Sequence, residues 1–84
     1  MATAKTKEMR FMIALYRMMR DRKDFETPIN TSIVAKEIGI HDKAVRLMCK
    51  GLRRANFIKI IDEEDNVIIT SQGIELAQSL LGGN

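Results

Sequence analysis

The chain has 84 residues, 45% hydrophobic and 30% charged, which suits one small globular core and excludes both a multidomain and a disordered reading. A single cysteine excludes an internal disulfide, and no apolar run approaches the ~18 residues of a membrane span. The net charge of +3 is unevenly spread, +7 over residues 1–56 and −4 over residues 57–84, so any polyanion is expected to meet the first two-thirds of the chain.

Met1 to Lys7 is polar and lacks the apolar stretch of a secretory leader, so the expected compartment is the cytoplasm, around the nucleoid. From about Thr6 to Lys23 the sequence predicts a long helix without Gly or Pro. Met9, Met12, Ile13, Tyr16 and Met19 share one face of it, extended by Phe11, Leu15 and Met18, while Arg10, Arg17 and Asp21 form a narrow polar wedge. The apolar arc spans roughly 220°, about twice the stripe of a one-sided surface helix. Such a helix is either wrapped by its own domain or partly covered by a second chain.

Asp24 to Asn30 holds the single proline, Pro28, and reads as a loop with a short extended segment around Ile29. Asn30 or Thr31 caps a second helix with apolar positions Ile33, Val34 and Ile38, and Gly39 ends it. A third helix starts near His41 or Asp42 and runs to about Ala55. Val45, Met48, Cys49 and Leu52 fall on one face, and Asp42, Lys43, Arg46, Lys50, Arg53 and Arg54 fall on the other. Asn56, which tolerates a left-handed backbone, closes it.

The period then changes. Phe57–Ile61 and Val67–Thr70 are β-branched runs joined by Asp62-Glu63-Glu64-Asp65-Asn66, a hairpin signal. Thr70 or Ser71 caps a last helix from about Gln72 to Leu81, with Ile74, Ala77, Leu80 and Leu81 apolar, and Gly82-Gly83-Asn84 ends it. The expected fold is mainly α with a small β-hairpin, in the order helix, helix, helix, hairpin, helix. A single domain spans residues 1–84 with an ordered core over about 6–81.

Catalysis finds no support. Cys49 lies two helical turns from His41, the only histidine, on a different face, so the two cannot pair as nucleophile and base. No Gly-rich loop cradles phosphate and no Cys/His set matches a metal site. No catalytic residue, cofactor or metal is expected. Cys49 reads as a small core residue rather than a redox sensor, which would need an exposed, activated thiolate.

The segment Thr31–Lys50, TSIVAKEIGIHDKAVRLMCK, resembles the helix-turn-helix signature along its length. Ala35 stands where the two helices cross closely, Gly39 stands at the tight turn, and Val34, Ile38, Ile40, Val45 and Met48 stand at the positions that bury the pair. Leu52–Ile58, LRRANFI, is similar to the end of a recognition helix leading into the first strand of a wing. Thr70–Ala77 is similar to the segment that follows the wing in many bacterial and archaeal repressors. Over roughly residues 8–81 the chain thus resembles winged helix-turn-helix regulators, such as the multiple-antibiotic-resistance, arsenical-resistance and phenolic-acid-response repressors.

The resemblance implies sequence-specific binding of double-stranded DNA, with the helix from about His41 to Ala55 in the major groove. It places His41, Lys43, Arg46, Leu47 and Lys50 toward the bases. Arg46 becomes the candidate for a bidentate contact to guanine, and Arg53 and Arg54 become phosphate contacts. His41 reads as a phosphate contact or equally as a helix cap, Leu47 as a group packing on a thymine methyl or as a single exposed leucine, and the five cations also as a solvated face. Asp42 is repelled by phosphates and is expected to complement the helix N-terminus instead.

Many regulators of this kind pair through their first and last helices, and the wide arc of the first helix with the apolar last one fits a homodimer of that design. No small-molecule effector and no membrane partner are expected. The wing departs from the pattern, because Asp62, Glu63, Glu64 and Asp65 oppose an approach to phosphates. Their spacing fits no Ca²⁺ loop. They read as an exposed turn that keeps the hairpin edges from aggregating. The alternative is that the acidic wing docks on a basic partner, which would make the domain a protein-interaction module on a winged-helix scaffold.

Overall fold

The structure, a computed structural model, describes residues 6–61 and 66–82; the acidic turn Asp62–Asp65, the first five residues and Gly83-Asn84 lie outside the described residues. Thr6 starts the first helix by accepting the Met9 N–H on its hydroxyl at 3.2 Å, and α1 runs Lys7–Asp21. Every residue from Phe11 to Tyr16 is buried, and so is Met19. Such all-round burial requires walls on several sides, and α2, α3 and α4 supply them. The wide apolar arc is therefore covered within the domain, leaving Met9 and Met18 at its margins.

Three helices in succession end in the same way. After α1, the Lys23 and Asp24 N–H groups donate back to the Arg20 and Met19 carbonyls; after α2 (Thr31–Ile38), Gly39 and Ile40 donate to Lys36 and Ala35; after α3 (Asp42–Arg54), Asn56 and Phe57 donate to Arg53 and Leu52. Each reversal needs one left-handed residue, and Lys23, Gly39 and Asn56 have φ of 57°, 72° and 67°. Glycine and asparagine suit this position. Lys23 does not, and its Cβ makes the conformation cost on the order of 1 kcal/mol.

Pro28 sets an extended approach to β1 (Ile29–Asn30), and Asn30 then caps α2 by accepting the Ser32 N–H at 2.8 Å. Asp24 shapes the preceding loop by accepting from the Glu26 and Thr27 N–H groups and the Thr27 hydroxyl, bonds that hold its carboxyl down at about 2. The hairpin strands are β2 (Ile58–Ile61) and β3 (Asn66–Ile69), paired antiparallel with Ile58 opposite Ile69 and Ile60 opposite Val67. The hairpin gains a further strand that periodicity did not suggest. β1 pairs with β3, Ile29 opposite Val67, giving a three-stranded sheet in the order β1-β3-β2.

Thr70 accepts the Gly73 N–H at 3.0 Å and so caps α4 (Ser71–Gly82), which packs along α1. Gly73 is forced to be glycine by packing: a Cβ there would run into the Phe57 carbonyl and come within 2.8 Å of Ile69 Cγ1 and 2.9 Å of Met12 Cε. The fold is mainly α with a small antiparallel sheet, in the winged helix-turn-helix order expected. Two details differ from expectation. Ile33, counted among the apolar positions of α2, points outward and is 56% exposed, because the core side of this short helix is filled by Val34 and Ala35. The helix expected to end before Gly82 includes it.

Candidate nucleic-acid interface

α3 is the most one-sided helix of the chain. Val45, Met48, Cys49 and Leu52 recur at helical spacing and are all buried, which fixes the rotation of the helix about its own axis. The opposite side must then face outward. His41, Lys43, Arg46, Leu47, Lys50, Arg53 and Arg54, the residues singled out from sequence, are all exposed.

Both ends of α3 are held in place. At its start, the Val45 N–H donates to the His41 carbonyl at 3.0 Å, but the His41 side chain makes no cap bond. The Ser32 hydroxyl makes a long contact of 3.4 Å to the Asp42 carboxylate, bringing the first turns of α2 and α3 together. Asp42 thus sits as an anion in the first turn, where the helix dipole favours it. At the far end, the Thr70 hydroxyl donates to the Asn56 carbonyl at 2.6 Å, and Asn56 donates from its amide to Gln72. These bonds tie the end of α3 to the start of α4, a role for Asn56, Thr70 and Gln72 that their capping preferences alone do not reveal.

Behind the ridge, the burial of Cys49 pushes its thiol up to about 11, so it stays protonated at neutral pH and belongs to the core. On the ridge, the side chains of Lys43, Arg46, Lys50, Arg53 and Arg54 form no hydrogen bond or ion pair with any other described residue; the ion pair among the described residues is Arg20–Asp21, at 3.4 Å. Arg53 and Arg54 occupy the last turn, where a cation complements the helix dipole whatever else it does. Together with Lys50 and Ile60 of β2 they line a hollow of about 230 Å³ between α3 and the hairpin.

A second concavity, of about 510 Å³, lies where Arg10, Arg17, Met18 and Asp21 of α1 meet Glu37 and Leu81. Arg10, placed from sequence in a polar wedge, has a defined task here: its guanidinium donates to the Ile38 carbonyl at 2.6 Å. It thereby satisfies a carbonyl at the end of α2 that the helix itself leaves unpaired.

Among the described residues no group of three or more His, Cys, Asp or Glu side chains is placed to hold a metal ion, and no helix is long and apolar enough to cross a membrane. The chain matches no protein-family model, no curated protein and no solved structure.

Proposed function

We propose that this chain binds double-stranded DNA sequence-specifically through α3 and acts as a transcriptional regulator by occupying its site. The observation that carries the reading is the outward face of α3: five cations without a partner among the described residues, on a helix whose inner face is locked into the core. A side chain pool of this kind, on a convex ridge one helix wide, matches the dimensions and charge of a major groove. Arg46 takes the base-reading role, with Lys43 and Lys50 beside it. Arg53, Arg54 and the hollow they share with Lys50 take a backbone phosphate. His41 lies where the helix enters the groove.

Binding of this kind requires no catalytic group or cofactor, and a DNA target places the chain in the compartment of the chromosome. Pairing of two copies through α1 and α4 is part of the same proposal. One surface open to it is the concavity at Met18 and Leu81, whose lining carries both signs of charge. A charged patch that meets its own copy across a two-fold axis is self-complementary when it carries both signs.

Selection from a random duplex pool, followed by titration of the selected site at two salt concentrations, tests the reading. Arg46→Ala is expected to weaken binding by ~1–3 kcal/mol and relax the preference at one base pair. Arg53→Ala is expected to weaken all sequences alike and reduce the log–log salt slope by about 0.9. Absence of binding to any duplex at low salt overturns the proposal, as does unchanged affinity in both variants. A palindromic selected site supports the paired form.

A further inference from the structure

The outward face of α3 is not uniform. At about 100° per residue, Lys43, Leu47, Lys50 and Arg54 stand opposite the buried side, Arg46 and Arg53 lie on one flank, and Gly51 lies on the other, with Leu47 at the margin nearest it. Leu47 is 72% exposed, the most exposed large apolar side chain among the described residues. A lone exposed leucine needs no explanation. Its neighbour one turn along does. Gly51 sits in the interior of a helix with an ordinary right-handed backbone, and a Cβ added to it would meet nothing within 4 Å.

Glycine at such a position costs about 1 kcal/mol relative to alanine, and none of the described residues requires it. What it provides is clearance: an outside surface can approach the helix backbone more closely there than anywhere else along the ridge. The flank therefore combines one projecting apolar group with one gap. The cations beside it decide what fills that flank. A protein partner would have to desolvate five cations to reach Leu47, whereas a nucleic acid neutralises them with phosphates as it docks. Within a major groove the apolar group on offer is the 5-methyl of thymine.

We propose that the Leu47–Gly51 flank is the thymine-reading side of α3. Leu47 packs on a 5-methyl group and Gly51 gives room for the adjoining edge of the groove. This rests on the DNA-binding reading and adds a base preference to it: cation-read guanine on the Arg46 flank and methyl-read thymine on the Leu47 flank.

The test replaces each thymine of the selected duplex, one at a time, by deoxyuridine, which removes the methyl and leaves the pairing edge intact. Wild type is expected to lose about fourfold in affinity at one or two positions, the worth of one methyl group taken out of water. Leu47→Ala should bind more weakly and show no further loss at those positions. Gly51→Ala should melt no lower than wild type and yet bind the same duplex less tightly. If wild type binds with a steep salt dependence but tolerates every uridine, or if Leu47→Ala keeps the methyl penalty, the thymine reading is overturned while DNA binding stands. Equal binding by Gly51→Ala overturns the clearance role. If no duplex of any sequence is bound, both proposals fall.

Discussion

α1 and α3 are of similar length and both carry a mix of apolar and basic residues, yet the fold uses them in opposite ways. α1 buries six consecutive residues, Phe11 to Tyr16, a run that no one-sided helix can show, and its cations are pushed to the ends and to one narrow edge. α3 buries every third or fourth residue and leaves a broad charged side open. The difference lies in how the neighbours are arranged. α1 packs extensively against α4 and α2 and also meets α3, whereas α3 packs chiefly against α2 and β2, and its outer side meets none of the described residues. A small domain of this design invests its core in one central helix, and that investment holds the other rigid while its outer side chains remain available.

The contrast can be broken at three depths. Deepest is Phe11, wholly enclosed on α1: Phe11→Ala is expected to lower stability by ~3–5 kcal/mol in urea unfolding, enough to unfold a domain this small at ambient temperature. A loss under 1 kcal/mol would show that α1 is not the organising element. Intermediate is Cys49, on the inner side of α3. Cys49→Ser swaps a protonated thiol for a hydroxyl in an apolar setting and should cost ~1–3 kcal/mol, while the wild-type thiol should resist alkylation until the protein unfolds. Rapid labelling of the native protein would contradict this placement. Shallowest is the outer side: the double variant Arg46→Ala, Lys50→Ala should unfold within ~0.5 kcal/mol of wild type. A larger loss would mean that these side chains support the fold rather than a ligand.

The two regions also differ in how openly the sequence declares them. Around α2 and α3 the signals are local and chemically explicit: Asn30 as a cap, Gly39 and Asn56 as left-handed stops, and a four-residue rhythm of Val45, Met48, Cys49 and Leu52. The exposure of all seven candidate contact residues follows from that rhythm, since fixing the inner face of a helix fixes the outer one. Elsewhere the determinants are pairings across the chain. β1 is too short to show a period, and its partner Val67 belongs to the hairpin, so its place in the sheet was not legible. Lys23 carries no mark of a left-handed residue, and the reach of Arg10 to the Ile38 carbonyl depends on how α1 and α2 cross. Gly51 was visible as an isolated glycine, but its interest arises only once the space around it is known to be empty.

The attachment of β1 to β3 has a mechanical consequence. A two-stranded hairpin joined to a domain through its termini alone behaves as a flap that can swing about its base. Here the strand leading into α2 is stitched to the turn-side half of β3, at Asn66 and Val67, so the outer half of the described hairpin and the start of α2 move as one piece. Whatever the hairpin touches, its thrust passes directly into the body that carries α3, and its angle to that helix is set before any ligand arrives.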